Sequence, residues 1–272
     1  MKILITGHKG FIGSNLYEYL KNEHEVTGWE WSNGFPLLKN IDAVIHLGAI
    51  SSTTYSDVDQ IVLQNYDFSK SLLKEAIAQK VKIFQYASSA SVYGNTNHFT
   101  ENKSLNPQSP YAWTKYLFDR HIRETDYGKD ITVQGFRYFN VYGKKGEEHK
   151  KDMASPYTKF TDQAINKKEI TLFEDSENFK RDFVCVEDVC EVHKQMLSKS
   201  ENGIFNVGTG NPTSFEAIGR KIAKKYNVQI KYIPMPENLK KQYQKFTKAN
   251  ITELENHVNI SWKNILDYID NV

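Results

Sequence analysis

The run Gly7-His8-Lys9-Gly10-Phe11-Ile12-Gly13 sets three glycines at even spacing directly after an apolar segment, Lys2–Thr6, and at the head of a helical pattern over Phe11–Lys21. A strand-to-helix turn stripped of side chains lets a pyrophosphate reach backbone N–H groups at a helix N-terminus. A bare tight turn is the competing reading, and the placement after a strand and before a helix favours a dinucleotide. Glu30 closes a second strand pattern, Glu25–Glu30, where a carboxylate can accept hydrogen bonds from the ribose hydroxyls of an adenosine. Tyr111 and Lys115 lie four residues apart on one face of a helical pattern running from about Pro110 to Asp126. A free phenol titrates near about 10, so it needs a nearby cation to act as a base around neutrality. Lys115 would supply one. Taken alone the pair is also what a packed Tyr beside a solvated Lys looks like. Ser88-Ser89-Ala90 follows the strand pattern Lys82–Ala87, at the end of a strand where open α/β sheets hold ligands. A hydroxyl there would complete a Ser/Tyr/Lys site for hydride transfer to or from a carbinol.

Such a site needs a rigid frame, and the chain has the pattern of one. Strand patterns at Lys2–Thr6, Glu25–Glu30, Ala43–Leu47, Lys82–Ala87 and Thr132–Arg137 alternate with helical ones, which predicts a parallel sheet covered on both faces. Val58–Ala78 reads as one helix whose apolar stripe is interrupted at Ser69. The second half is less regular. Met153–Asn166, Glu187–Ser198 and Ser214–Tyr226 read as helices, Ile170–Phe173 and Gly203–Val207 as short strands, and Gly208–Pro212 as a turn cluster. This predicts a smaller α/β lobe interleaved with the sheet domain. A net charge of +2 demands no nucleic-acid footprint, and no apolar run approaches a membrane span. Cys185 and Cys190 lack metal-ligand spacing, so no metal is expected, and they read as free thiols in a reducing cytoplasm.

The assembled motifs resemble the extended short-chain dehydrogenase/reductases that act on nucleotide sugars. Within them, the chain is similar to the ADP-glyceromanno-heptose 6-epimerase family. The matching stretches include Thr6-Gly7…Gly10-Phe11-Ile12-Gly13-Ser14-Asn15, Tyr86-Ala87-Ser88-Ser89-Ala90 and Gly135-Phe136-Arg137-Tyr138-Phe139-Asn140-Val141-Tyr142-Gly143. His149-Lys150, Met153-Ala154-Ser155 and Ser176–Phe183 carry the narrower likeness. The resemblance implies a Rossmann-type doubly wound sheet and inversion of C6″ of a heptose through a transient ketone, with tightly held NAD or NADP. Inversion needs acid/base groups on both faces of the carbinol. The resemblance makes Tyr111 one of them, supported by Lys115 and Ser89, and Lys150 the other. By pattern alone Lys150, within Lys144–Lys151, would be part of a solvated charged loop.

The resemblance further implies that Leu47, Gly48, Ala49, Ser51 and Val141 line the cofactor and that Asn65 holds the active-site backbone around it. Asn140 would touch the sugar, Phe173, Glu174, Asp175 and Ser176 would line the nucleotide, and Tyr243 would close the pocket. Arg181 would pair with the pyrophosphate, a job that suits its fixed fork, and a structural ion pair with Asp182 or a neighbour is the competing reading. Asp152, Lys159 and Asp175 stand in substrate positions where the family more usually has Ser, His and Gly. The sheet domain is expected to take residues 1–138 with about 183–208 and 244–256, and the nucleotide-sugar lobe about 139–182, 209–243 and 257–272. A cytoplasmic homo-oligomer is expected.

The chain departs from the family at one edge. Only twelve residues, Trp31–Asp42, separate the second strand from the next, which is room for one crossover and no more. The usual third strand and a helix beside it are expected to be missing, leaving the second strand at the sheet edge. Basic residues used toward a 2′-phosphate go with them, so Glu30 tips the choice slightly toward NAD where the resemblance implies NADP, and both are kept; Trp31 either stacks on adenine or covers the edge. Other readings are a hexose 4-epimerase, which has no need of Lys150, a 4,6-dehydratase, for which Ser89-Ala90 offers no acidic pair, and a non-catalytic dinucleotide-binding regulator.

Overall fold

The computed structural model describes residues 1–102, 105–143, 146–147, 150, 153–237 and 243–271. The chain begins with β1 (Lys2–Thr6), α1 (Phe11–Leu20), β2 (Glu25–Trp29) and β3 (Ala43–His46). It continues through α2 (Val58–Val62), α3 (Phe68–Ala78), β4 (Ile83–Ser89), α4 (Pro110–Glu124) and β5 (Thr132–Tyr138). With β10 (Gly203–Val207) these strands form one six-stranded sheet of order β10-β5-β4-β3-β1-β2, every pair parallel. β3 and nearly all of β1, β4 and β5 are buried, as strands covered on both faces must be. The edge strand β2 instead alternates exposed and half-buried residues.

The shortened edge is as the spacing requires. Residues 30–42 hold a 3₁₀ turn at Trp31–Asn33 and no strand or helix of their own sheet. Their aromatic residues gather on α3 instead. Trp29 stacks on Phe68 at 5.0 Å, and Trp31 and Phe35 meet the same ring edge-on at 5.1 and 5.7 Å. Leu38 is buried in the core beneath them.

Val58–Ala78 is not one helix. A π-helical turn, Leu63–Asp67, divides α2 from α3. Strand β4 also runs two residues further than its apolar pattern, so Ser88 and Ser89 belong to the strand end, and β2 stops one residue before Glu30. After β5 the chain leaves the large sheet through β6 (Asn140–Tyr142), α5 (Pro156–Asn166), β7 (Glu169–Phe173), β8 (Lys180–Arg181) and β9 (Phe183–Cys185). It returns to the large sheet by α6 (Val186–Met196) and β10. β11 (Thr213–Ser214), α7 (Phe215–Tyr226) and β12 (Gln229–Ile233) follow. β6 pairs with β9, β8 with β11 and β7 with β12, and α5, α7 and the C-terminal helix Ile265–Asn271 share one apolar cluster. Cys185 and Cys190 are free and buried, and among the described residues no helix is long and apolar enough to cross a membrane.

Candidate active site

The glycine loop sits between β1 and α1, and its glycines have different reasons to be glycine. Gly7 has φ +71°, and a Cβ there would lie 2.6 Å from Gly48 Cα. A Cβ on Gly13 would lie 2.1 Å from the Gly7 carbonyl oxygen. Both therefore set backbone packing, whereas Gly10 is exposed at the head of α1, where a Cβ would meet the Gly7 carbonyl oxygen at a less severe 3.3 Å. That exposed N-terminus, with Phe11 buried and Ile12 half-buried behind it, fits a pyrophosphate. The contact of Gly7 with Gly48 sets the turn after β3 beside the loop, and Leu47, Gly48 and Ala49 are half-buried there, with Ser51 exposed. Glu30 stands at the end of β2 and accepts a hydrogen bond from the Lys9 N–H through Oε1 at 2.7 Å. His8 Nδ1 lies 3.1 Å from the same oxygen without the alignment of a hydrogen bond. Trp31 remains 42% exposed and packs edge-on against Phe68, so it covers the sheet edge.

Beneath this turn runs a buried polar chain that the sequence patterns do not single out. Gly48 N–H donates to Thr6 Oγ1, Thr6 Oγ1 is 2.7 Å from His46 Nδ1, and His46 Nε2 is 2.8 Å from Ser69 Oγ. Ser69 Oγ donates to the Asn65 carbonyl at 2.7 Å. These bonds orient the ring with Nε2 protonated and Nδ1 accepting from Thr6. Burial, with the Lys115 charge nearby, pushes the imidazole down to about 3, so His46 is neutral. The Asn65 side chain lies in the π-helical turn and is 1% exposed. Its Oδ1 accepts from Ile50 N–H at 2.8 Å, and its Nδ2 donates to the Ile50 carbonyl and to Thr114 Oγ1. One side chain thus ties the turn after β3 to α4. Ser69, the polar break in an apolar stripe, and His46, which ends an apolar strand, were the available signals.

Ser89 at the end of β4 hydrogen-bonds the Tyr111 phenol at the start of α4, and its Oγ accepts from Ser91 N–H. Burial raises the Tyr111 pKa, and the Ser89 hydrogen bond opposes it. Lys115 is 6% exposed, donates to the Ala87 carbonyl at 2.8 Å, and holds Nζ 5.9 Å from the Tyr111 ring centre. Burial pushes its ammonium down to about 8, with Asp119 opposing. Tyr138 pairs in register with Ser89, and its hydroxyl lies 2.5 Å from His193 Nε2. Asp119 binds Arg137 at 2.9 Å and accepts from Tyr86 and Ser88, which fixes α4 against the sheet.

Lys150 comes to the glycine loop from another direction. Its Nζ lies 4.3 Å over the Phe11 ring and 3.4 Å from the Val141 carbonyl. Desolvation lowers its pKa, and the carboxylate of Glu147, 3.8 Å away, opposes. The side chain is 28% exposed, so Lys150 itself is half-buried and not fully solvated as its charged sequence suggests. Thr53, in the loop that follows β3, reaches Met153 Sδ at 3.7 Å.

A second cluster gathers around Tyr243. Its ring meets Phe173, Phe179 and Phe215, and the Arg181 guanidinium lies 5.5 Å from its centre. Arg181 does not pair with Asp182. That carboxylate is filled by Thr209, Gly210 and Ala249, and among the described residues no carboxylate bridges to Arg181. Arg181 Nη1 donates to Gln244, whose Nε2 donates to the Gly94 carbonyl just beyond the Ser89 turn. Arg181 Nε is buried with no hydrogen-bond partner among the described residues, and desolvation lowers the guanidinium's pKa. A half-buried cation without a counter-charge is a site for an anion. Asn140 begins β6 half-buried, and Glu174 and Asp175 are exposed. Ser176 faces inward, its hydroxyl donating to Glu216 at 2.6 Å, so its side chain is committed to the fold and only its backbone is left for a ligand. Lys159 is exposed on α5. Asp152 lies outside the described residues.

A glycine loop for a dinucleotide, a Ser/Tyr/Lys group at the sheet's C-terminal end and an arginine with no carboxylate bridge among the described residues fit a nicotinamide-dependent enzyme of nucleotide sugars. The chain belongs to the NAD dependent epimerase/dehydratase family, which matches residues 3–208. Among solved structures it is similar to an ADP-L-glycero-D-manno-heptose-6-epimerase of Helicobacter pylori, with 27% identity, 99% of this chain and 94% of that chain covered and a TM-score of 0.85. A UDP-N-acetylglucosamine 4-epimerase of Methanobrevibacter ruminantium shares the fold at a TM-score of 0.87 and 21% identity, over 99% of this chain and 94% of that one. So does a UDP-glucose 4-epimerase of Thermotoga maritima, at 0.80 and 24%, over 94% and 92%.

Proposed function

We propose that the chain inverts C6″ of an NDP-heptose, converting ADP-D-glycero-D-manno-heptose to its L-glycero form through a transient 6-keto sugar. The observation that carries this reading is Lys150, drawn from a charged loop onto Phe11 at the head of the glycine-loop helix, on an element different from that of Tyr111. A hexose 4-epimerase has no use for that second group. The Helicobacter relative, whose name gives this activity, supports the reading.

A bound dinucleotide supplies the acceptor and donor of hydride. Gly7, Gly10, Phe11, Ile12 and Gly13 would hold its pyrophosphate, Glu30 its adenosine ribose, and Leu47–Ser51, Asn65 and Val141 the remainder. Tyr111 would take or return the carbinol proton on one face, with Ser89 hydrogen-bonding the oxygen and Lys115 stabilising phenolate. Lys150 would serve the other face. Arg181 would hold the sugar nucleotide's pyrophosphate, Tyr243 and Phe173 would enclose the nucleotide beside Glu174 and Asp175, and Asn140 would contact the sugar. Lys159 and Asp152 are proposed substrate contacts by resemblance alone. We propose NAD rather than NADP, a cytoplasmic location, and a homo-oligomer.

The test is incubation of purified protein with ADP-D-glycero-β-D-manno-heptose, following C6″ configuration by proton NMR. Inversion without added cofactor supports the activity and a retained dinucleotide. No inversion with NAD or NADP supplied rules out this sugar and moves the reading to another nucleotide sugar.

A further inference from the structure

Glu147 stands in the most highly charged stretch of the chain and is nonetheless fully buried. A buried carboxylate is costly unless protein donors replace its water. Here they do. It accepts from Gly143 N–H at 3.2 Å, Ser155 N–H at 2.6 Å, Ser155 Oγ at 2.9 Å and Thr158 Oγ1 at 2.7 Å. Each contact is a donor, so the pocket suits a group that only accepts. The donors come from the two ends of one loop: Gly143 follows β6, whereas Ser155 and Thr158 are the N-cap and first turn of α5. One side chain holds the loop's exit from β6 to its entry into α5, and Lys150 lies between.

Lys150 meets, among the described residues, the Val141 carbonyl, the Phe11 ring and, at 3.8 Å, Glu147 Oε1. Among the described residues Glu147 is the one charged group that acts on it. Tyr157 on α5 is also, among the described residues, close enough to feel the Glu147 charge. The separation matters. At 3.8 Å, with its oxygens already taken by four donors, Glu147 does not lock the ammonium into a tight bidentate pair, and Nζ stays free to turn to a substrate oxygen.

We infer that Glu147 is the positioning residue of Lys150, stapling the loop that carries it beside Phe11 and supplying, among the described residues, the one negative charge its ammonium faces. The inference rests on the reading of Lys150 as the second acid/base group. A lysine in that role must be able both to hold and to release its proton near the working pH. Burial alone favours the neutral amine, and Glu147 restores the balance.

The test needs no substrate. Competitive acetylation of the purified protein across pH, read at the peptide carrying Lys150 by mass spectrometry, gives that amine's own titration midpoint. Glu147→Gln removes the charge and keeps the shape, so the midpoint should fall by about one pH unit or more. The Lys115 midpoint, read in the same samples, should hold. An unmoved Lys150 midpoint in folded Glu147→Gln overturns the inference. If that variant does not fold, Glu147→Asp withdraws the same charge by one methylene and must lower the midpoint by less, and no movement there overturns it equally. With the nucleotide sugar as substrate, the kcat limb that Lys150→Met abolishes should move to lower pH in Glu147→Gln while KM changes little. Full turnover by Lys150→Met would instead overturn the reading on which this rests, whatever the midpoint does.

Discussion

Burial drives both members of the Tyr111–Lys115 pair toward neutrality, raising the phenol's pKa and lowering the ammonium's to about 8. The phenol gains from the ammonium only while the lysine keeps its proton. That support is complete below pH 8 and lost above it, so kcat should decline above about pH 8. A Lys115→Met profile should lack that limb and lie about a hundredfold lower. Stability runs the other way. Between about pH 8 and the ordinary lysine range the unfolded chain binds a proton that the folded one has released, so folded stability rises with pH across that window. Lys115→Met should therefore melt higher than the wild type at pH 7, with the difference shrinking toward pH 10, and a lower melting point at pH 7 would contradict the cost assigned to the buried ammonium. Tyr111→Phe keeps the ring and its packing. It should bind dinucleotide as the wild type does while turnover falls about 10²–10⁴-fold, and normal turnover would remove Tyr111 from the mechanism. Tyr111, Lys115 and Ser89 were legible because their spacing on predicted elements has a chemical use. Lys150 was visible only through resemblance, and Glu147 not at all, because a carboxylate within a run of charges looks solvated until the two ends of its loop close donors around it.

At the scale of elements, the π-helical turn at Leu63–Asp67 does what a regular helix could not: it turns Asn65 toward both Ile50 and Thr114. Asn65→Ala leaves the Ile50 N–H and carbonyl unpaired in a half-buried turn, which should cost about 1–3 kcal/mol in urea unfolding. Because that turn adjoins the glycine loop, dinucleotide affinity should fall as well. Unchanged stability would mean that water replaces the side chain without penalty. The parallel strands of the large sheet were readable from continuous aliphatic and aromatic runs, since burial on both faces requires them. β6, β9 and β12 were not, being three to five residues long and defined by partners far along the chain. The π-helical turn escaped for a different reason. It shifts the hydrogen-bond register by one residue, and the only trace in the sequence is an apolar stripe that falters at Ser69.

For the whole molecule, the missing strand and helix leave the sheet ending at β2 and leave Glu30 as the acidic group beside the glycine loop, at the end proposed for adenosine. Residues 30–42 fold back onto Phe68 instead of extending the sheet. The Glu30 carboxylate is held in place by the Lys9 N–H, a backbone donor of the very loop proposed to hold the pyrophosphate. Its position is thus fixed by the glycine turn itself. A carboxylate so placed can accept from two ribose hydroxyls and repels a phosphate in their place. The protein should therefore bind NAD at least tenfold more tightly than NADP, measured by calorimetry after removal of any retained cofactor. Glu30→Ala should narrow that ratio by weakening NAD and relieving NADP, with His8 left free to face the added phosphate. Equal affinity for the two dinucleotides in the wild type would mean that the shortened edge admits the 2′-phosphate beyond Glu30's reach, and the loss of the third strand would then have opened the site rather than narrowed its choice.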